Sequence, residues 1–278
     1  MKILTTWLRA LLPELNVTDH QLAEDLTLRG IAVEGIHDLG AGNGSLFEMD
    51  ITTNRVDAMN HYGVAREAAA IYGLHLPPGA APLPAPQPAT TPFSVKIEAQ
   101  DACGRFTARV LRCVTIQPIS SVKGGISGYA AQMFALLEQK QISNAVDASN
   151  FAWLAMGQPT HAFDLDKIAG GIVVRRARKG EKLKTLDGVE RNLDPEDLIV
   201  ADHEKPLGLA GVMGGWDTMI TPSTTNILVE AAWFDPVAVR RTARCHGLHT
   251  DASHRFERGA DFNAAPAADH TVGINRIS

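Results

Sequence analysis

Two side chains of this chain are of the kinds that hold or hydrolyse a small polar ligand, and both stand in apolar company. Glu230 lies inside the run ILVEAAWF. A carboxylate there is costly to bury without a partner. By strand alternation it shares a face with Leu228 and Ala232. That face is either open to solvent or the wall of a pocket in which the acid accepts a hydrogen bond from a ligand hydroxyl. The second arrangement discriminates well, because a ligand without the hydroxyl leaves a buried acceptor unpaired. His161 follows the apolar segment FAWLAM and the turn residues GQPT, which predict a loop. Imidazole titrates near neutrality and suits proton handling or orientation of a reactant, but a packed or solvated loop histidine fits the same spacing. Asn150, next to Ser149, stands eleven residues before His161.

Two further stretches carry polar or conformationally free residues. The run LGLAGVMGG, 207–215, has too much glycine for a strand interior. It reads as a bulged strand and turn, or as backbone N–H groups at Gly214 and Gly215 laid open to a ligand. The run HGLHTDASHRFERGAD, 246–261, holds three of the ten histidines, two arginines, a glutamate and two aspartates. Thr250, Asp251 and Ser253 are capping types, so a helix begins near 250–253, either as a solvated entry or as one wall of a polar pocket. In TTNRVD, 52–57, Asn54 and Asp57 read as turn and cap residues.

The elements that must position these residues follow from periodicity and punctuation. Thr5 or Thr6 suits the cap of a short first helix. Residues 19–30 form a helix capped by Asp19 and closed by Gly30, with Leu22, Leu26 and Leu28 near one face. Strands are predicted at 31–36 and 47–51, and a helix over 64–72 ended by Gly73. Residues 76–92 contain seven of the fifteen prolines, interleaved with alanine, a stiff run that builds no core. The domain boundary is placed there, giving an N-terminal domain 1–76, a linker 77–91 and a larger domain 92–278. In the larger domain strands are predicted at 94–99, 105–114, 172–178, 183–186, 198–202 and 226–232. Helices are predicted at 126–139, with Met133, Leu136 and Leu137 inward, and at 235–244, with Pro236 in its first position. The fold class is α+β: a small N-terminal α/β domain followed by a larger mixed-sheet domain.

Composition bounds the rest. A chain of 278 residues, 45% apolar and 21% charged, is that of an ordinary globular protein with room for two domains. The net charge of −5 excludes a global basic field for nucleic acid, though a local basic face, such as Arg175, Arg176, Arg178 and Lys179, stays open. Cys103, Cys113 and Cys245 have no zinc or disulfide spacing and point to a reducing compartment. No apolar run is long enough to span a membrane.

Seven stretches, in order, resemble the β subunit of bacterial phenylalanine–tRNA ligase: MDITTNRVDAMNHYGVAREAAAIYG, GRFTARV, DASNFAWLAMGQPTHAFDLDKIAGGIVVRRA, LKTLDG, LIVADHEKPLGLAGVMGG, NILVEAAWFDP and RRTARCHGLHTDASHRFERGAD. The resemblance implies that 1–76 is like the first module of that subunit and 92–278 like its B3/B4 region, which removes tyrosine wrongly joined to the phenylalanine tRNA. Carried over position by position, Glu230 matches the residue that recognises the tyrosine hydroxyl. His161 matches the histidine near the reacting ester, and Gly214 lines the pocket with its backbone. Thr250 and Ala252 match wall positions, Thr250 near the chemistry, and Ser149 and Asn150 match a polar pair on the same site. The resemblance also implies a cytoplasmic location, tRNA and an α subunit as partners, and no metal or other cofactor in this chain. ATP and Mg²⁺ belong to aminoacylation by the whole ligase. Where the family carries an inserted OB-fold module this chain has LGAGNGS, and the family continues past the position of Ser278, so the sequence reads as a fragment or an unusual short form. A non-enzymatic scaffold or RNA-docking module is the alternative, and an unrelated hydrolase ranks last for want of a nucleophile or metal motif.

Overall fold

The computed structural model describes residues 1–40, 42–78, 93–121 and 125–274. Its contacts divide the chain into two units, Met1–Ala81 with Pro118–Gly157, and Pro82–Gln117 with Gln158–Ser278. Residues 118–157, placed by the sequence reading in the larger domain, therefore join the first unit. The predicted linker 77–91 lies outside the described residues apart from its first two positions.

In the first unit β1 (Lys2–Leu4), β2 (Ala32–Asp38) and β3 (Ser45–Asp50) form an antiparallel sheet with β3 central. Among the described residues the same unit holds the α-helices α1 (Thr5–Leu11), α2 (Asp19–Leu28), α3 (His61–Tyr72), α4 (Gly125–Leu136) and α5 (Asn144–Met156). Ile3, Leu22, Leu26, Phe47 and Val64 are buried in one cluster, and Trp7, Met133, Phe134, Phe151 and Leu154 in a second. Several caps differ from the expected ones. Leu4, which has no polar side chain, precedes α1 without a cap, and the Thr5 hydroxyl inside the helix donates to Asp19 Oδ2 and accepts from Ser45 N. Thr18, one residue before Asp19, caps α2, and Asn60 caps α3. Asp57 is instead paired with Arg55 and Arg66. Gly73 closes α3 at φ 65°, in the left-handed region that glycine enters at no steric cost.

The first residue of α3, His61, is fully buried and stacked on Trp7 with ring centroids 4.0 Å apart. Leu4 N donates to its Nε2 at 3.1 Å, and Nδ1 donates to Leu154 O at 2.9 Å. That pattern needs the neutral ring, and burial lowers the pKa from 6.5 to about 4. The unfolded chain thus takes up the proton first. The stabilisation is complete above pH 6.5 and fades as pH falls toward 4. Urea unfolding of the native chain should lose on the order of 2 kcal/mol more than that of His61→Gln between neutral pH and about 4.5. An identical loss in both would remove His61 from the account.

The second unit holds a mixed sheet in the order β12-β11-β10-β7-β4. Its members are β4 (Ser94–Ile97), β7 (Gly171–Arg176), β10 (Leu198–Ala201), β11 (Pro206–Leu209) and β12 (Met213–Gly214), with only β4 and β7 parallel. A second, antiparallel sheet places β13 (Asn226–Phe234) between β5 (Cys103–Arg112) and β6 (Thr160–Asp164). β8 (Lys182–Lys184) and β9 (Glu190–Asn192) form a hairpin. Helices α6 (Pro236–Cys245), α7 (Asp251–Phe256) and α8 (Ala265–Ile274) complete it. Pro236 opens α6, as expected, and Asp235 caps it. The α+β class is what the structure shows. No described helix is long and apolar enough to cross a membrane.

Candidate functional site

The site is built on β13. Ile227 through Ala232 are buried along both faces, Glu230 among them at 7% exposure. Leu228 and Ala232, which flank Glu230 on its own face, lie in the core cluster with Phe163 and Phe234. The solvent-exposed alternative for this face is therefore excluded. The strand register sets the neighbours: Glu230 has Ala108 of β5 on one side and His161 of β6 on the other. Residues directly opposite in a sheet point to one face with Cβ atoms about 5 Å apart. Glu230 and His161, separated by 69 positions in the sequence, are thus cross-strand neighbours.

His161 is in a strand, not in the loop that its turn-rich approach predicted. Gly157, with φ 80°, ends α5, and β6 begins three residues later. Phe163 meets the imidazole edge-on with centroids 4.4 Å apart. Burial brings the pKa of His161 down from 6.5 to about 4, so the ring is neutral at neutral pH, and its buried Nε2 has no hydrogen-bond partner among the described residues. A base so weak holds a water or an ester group by hydrogen bonding better than it removes a proton from it.

Gly214 explains how the ring fits. A Cβ built on Gly214 would stand 2.5 Å from His161 Nε2 and closer still to Cε1, so a glycine is required for the imidazole to lie there. The run 207–215 is the strand-turn-strand of β11 and β12, in which Gly208 opposes Gly214. The Gly215 N–H, expected to be open to a ligand, is spent on Leu207 O at 2.7 Å, and Gly214 O accepts from Leu186 N. Gly214 thus supplies space, and the Gly215 N–H is not a free donor.

Thr250 is the N-cap of α7, in a reciprocal capping box with Ser253. Its Oγ1 accepts from Ser253 N and donates to Val212 O at 2.8 Å, which ties α7 to the turn before Gly214. The hydroxyl proton is committed there, leaving the oxygen a lone pair. Ala252 packs against the core cluster. Ser149 and Asn150 belong to the other unit, on α5. Ser149 is buried, and Asn150 Oδ1 accepts from Trp153 Nε1 within the helix. Two members of the basic cluster are paired: Arg175 is buried in a two-pronged pair with Glu181, and Arg176 pairs with Asp101.

Two site residues escaped the sequence reading. Ala108 is visible only once the β5 register is known. Gln158, 1% exposed, donates from Nε2 to Ala232 O at 2.9 Å and pins the approach to β6 onto β13. The glutamine set between Gly157 and Pro159 was the available signal.

The family model for the B3/4 domain matches residues 102–273, which include every site residue of the second unit named above. The chain belongs to the B3/4 domain family. Its B3/4 domain and flanking sequence are similar to proteins named phenylalanine–tRNA ligase beta subunit. The one from Anaeromyxobacter dehalogenans is 47% identical over 234 residues, 82% of this chain and 28% of that protein. The one from Moorella thermoacetica is 48% identical over 225 residues, 79% of this chain and 27% of that protein. The chain thus spans a little over a quarter of the length of these relatives. A solved N-terminal fragment of the phenylalanyl-tRNA synthetase beta subunit from Pyrococcus horikoshii aligns with TM-score 0.43 and 16% identity, over 84% of this chain and 67% of that one.

Proposed function

We propose that the B3/4 domain of this chain is an editing site, which hydrolyses the ester of tyrosine mischarged onto the phenylalanine tRNA. The observation that carries this reading is the side-by-side placement of Glu230 and His161 on one face of the β5-β13-β6 sheet, the acid buried and the histidine half-buried. Phenylalanine and tyrosine differ by a hydroxyl, and an apolar synthetic pocket rejects an added hydroxyl by only about a hundredfold. A second site whose carboxylate requires that hydroxyl corrects the error. Glu230 accepts the phenolic O–H. The neutral His161 ring orients the attacking water or the ester carbonyl, and Gly214 leaves the ring its room. An aminoacyl ester is already activated, so positioning supplies much of the needed acceleration. In the full assembly the α subunit and tRNA are partners, and charging with ATP and Mg²⁺ belongs to that assembly.

The test is release of tyrosine from Tyr-tRNA(Phe) by the purified chain. Hydrolysis above the spontaneous rate, slowed in His161→Ala, is expected. Release at the spontaneous rate would overturn the reading in favour of a non-enzymatic scaffold, which the short span relative to the longer proteins would suit.

A further inference from the structure

Outside the editing site, the C-terminal end of α6 gathers donors of three kinds. Cys245 is the last residue of α6 and His246 its C-cap. One ligand atom each from Asp197, Cys245 and His246 lie within 4.8 Å of one another. The carboxylate and imidazole are already in contact, His246 Nε2 to Asp197 Oδ2 at 2.7 Å, with side chains 7% and 3% exposed. Cys245 is exposed and in no disulfide, so the cluster is open to solvent on the thiol side.

We infer that Asp197, Cys245 and His246 form a binding site for a borderline divalent cation of the zinc type. Three features favour this class. The donor set mixes sulfur, imidazole nitrogen and carboxylate oxygen, a combination suited to zinc and its neighbours and poorly suited to magnesium or calcium. The site lies at a helix C-terminus, where the backbone carries partial negative charge. The carboxylate is also held in place, since Asp194 N donates to Asp197 Oδ2 at 2.8 Å and fixes the 194–197 turn beside the end of α6. On binding, the cation replaces the hydrogen bond between His246 Nε2 and Asp197 Oδ2: the imidazole proton moves to Nδ1, the thiol proton leaves to solvent, a metal–sulfur bond replaces the S–H bond, and the charges of thiolate and carboxylate are offset. Three protein ligands leave a fourth position for water. The cation would clamp the 194–197 turn to the end of α6.

A second grouping, His249, His254 and Glu257, also brings ligand atoms within 4.8 Å. There Arg258 Nη1 lies 2.6 Å from His254 Nδ1 and 3.1 Å from Glu257 Oε1, so a fixed cation already occupies two of the donors. It serves as the internal comparison.

The experiment is titration of the chelator-treated chain with cobalt(II), followed by zinc competition. One equivalent should bind with the near-ultraviolet charge-transfer absorption of a thiolate–cobalt bond, and zinc should displace it. Cys245→Ser, at an exposed position, should abolish that absorption and weaken binding by about tenfold or more. His254→Gln should leave both unchanged. No absorption in the native chain, its survival in Cys245→Ser, or its loss in His254→Gln would each overturn the assignment. None of these readouts depends on tyrosine release.

Discussion

Glu230→Ala should retain ester hydrolysis but lose most of its preference for tyrosine. A site that hydrogen-bonds a substrate hydroxyl rejects the analogue lacking it by about 10⁴-fold. The acid lies at 7% exposure between Leu228 and Ala232, so alanine in its place would leave a phenolic hydroxyl there without its acceptor. Without the carboxylate, the ratio of kcat/KM for tyrosyl and phenylalanyl esters should fall by at least about a hundredfold. Glu230→Gln, whose amide oxygen still accepts, should retain part of the ratio. An unchanged ratio in the alanine variant would show that the hydroxyl is recognised elsewhere.

Gly214→Ala should be the most damaging single methyl in the site. The new Cβ would collide with Cε1 and Nε2 of His161, and neither the paired β11-β12 backbone nor a ring wedged against Phe163 can yield cheaply. Overpacking of this kind costs about 1–3 kcal/mol. A displacement of the ring by about an ångström should lower tyrosine release about a hundredfold. In a His161→Ala background the added methyl has room, so the stability loss should largely vanish, as expected for residues in contact. A Gly214→Ala protein as active and as stable as the native chain, or a stability loss undiminished in the double variant, would contradict the assigned packing.

Much of the fold could be read from local chemistry. Gly73 ending α3, Asp235-Pro236 opening α6, and the capping residues at 250–253 each act through their immediate neighbours, so a short window contains the whole cause. α5 was hidden because alanines and polar residues share its buried surface: Asn144, Ala145, Asp147, Ala148, Ser149 and Ala152 draw no clear apolar stripe. The identity of Glu230 as an acid in apolar surroundings was legible. Its partner was named only by the family resemblance and not by residue pattern, because the pairing with His161 depends on strand register across a long loop-rich separation. Pattern also misled at Gly215, where glycine signalled an open backbone and the N–H turned out to be engaged with Leu207. The grouping of 118–157 with the N-terminal residues rests on distant packing that periodicity does not carry.

That grouping bears on how the protein comes off the ribosome. Leu4, Trp7 and Leu46 share a buried cluster with Phe134, Phe151 and Leu154, so Leu4 and Trp7 complete their core only after more than a hundred further residues have been added. The chain's N-terminal part must wait with apolar surface uncovered through translation of β4 and β5, an interval in which a chaperone that shields nascent hydrophobic segments has something to hold.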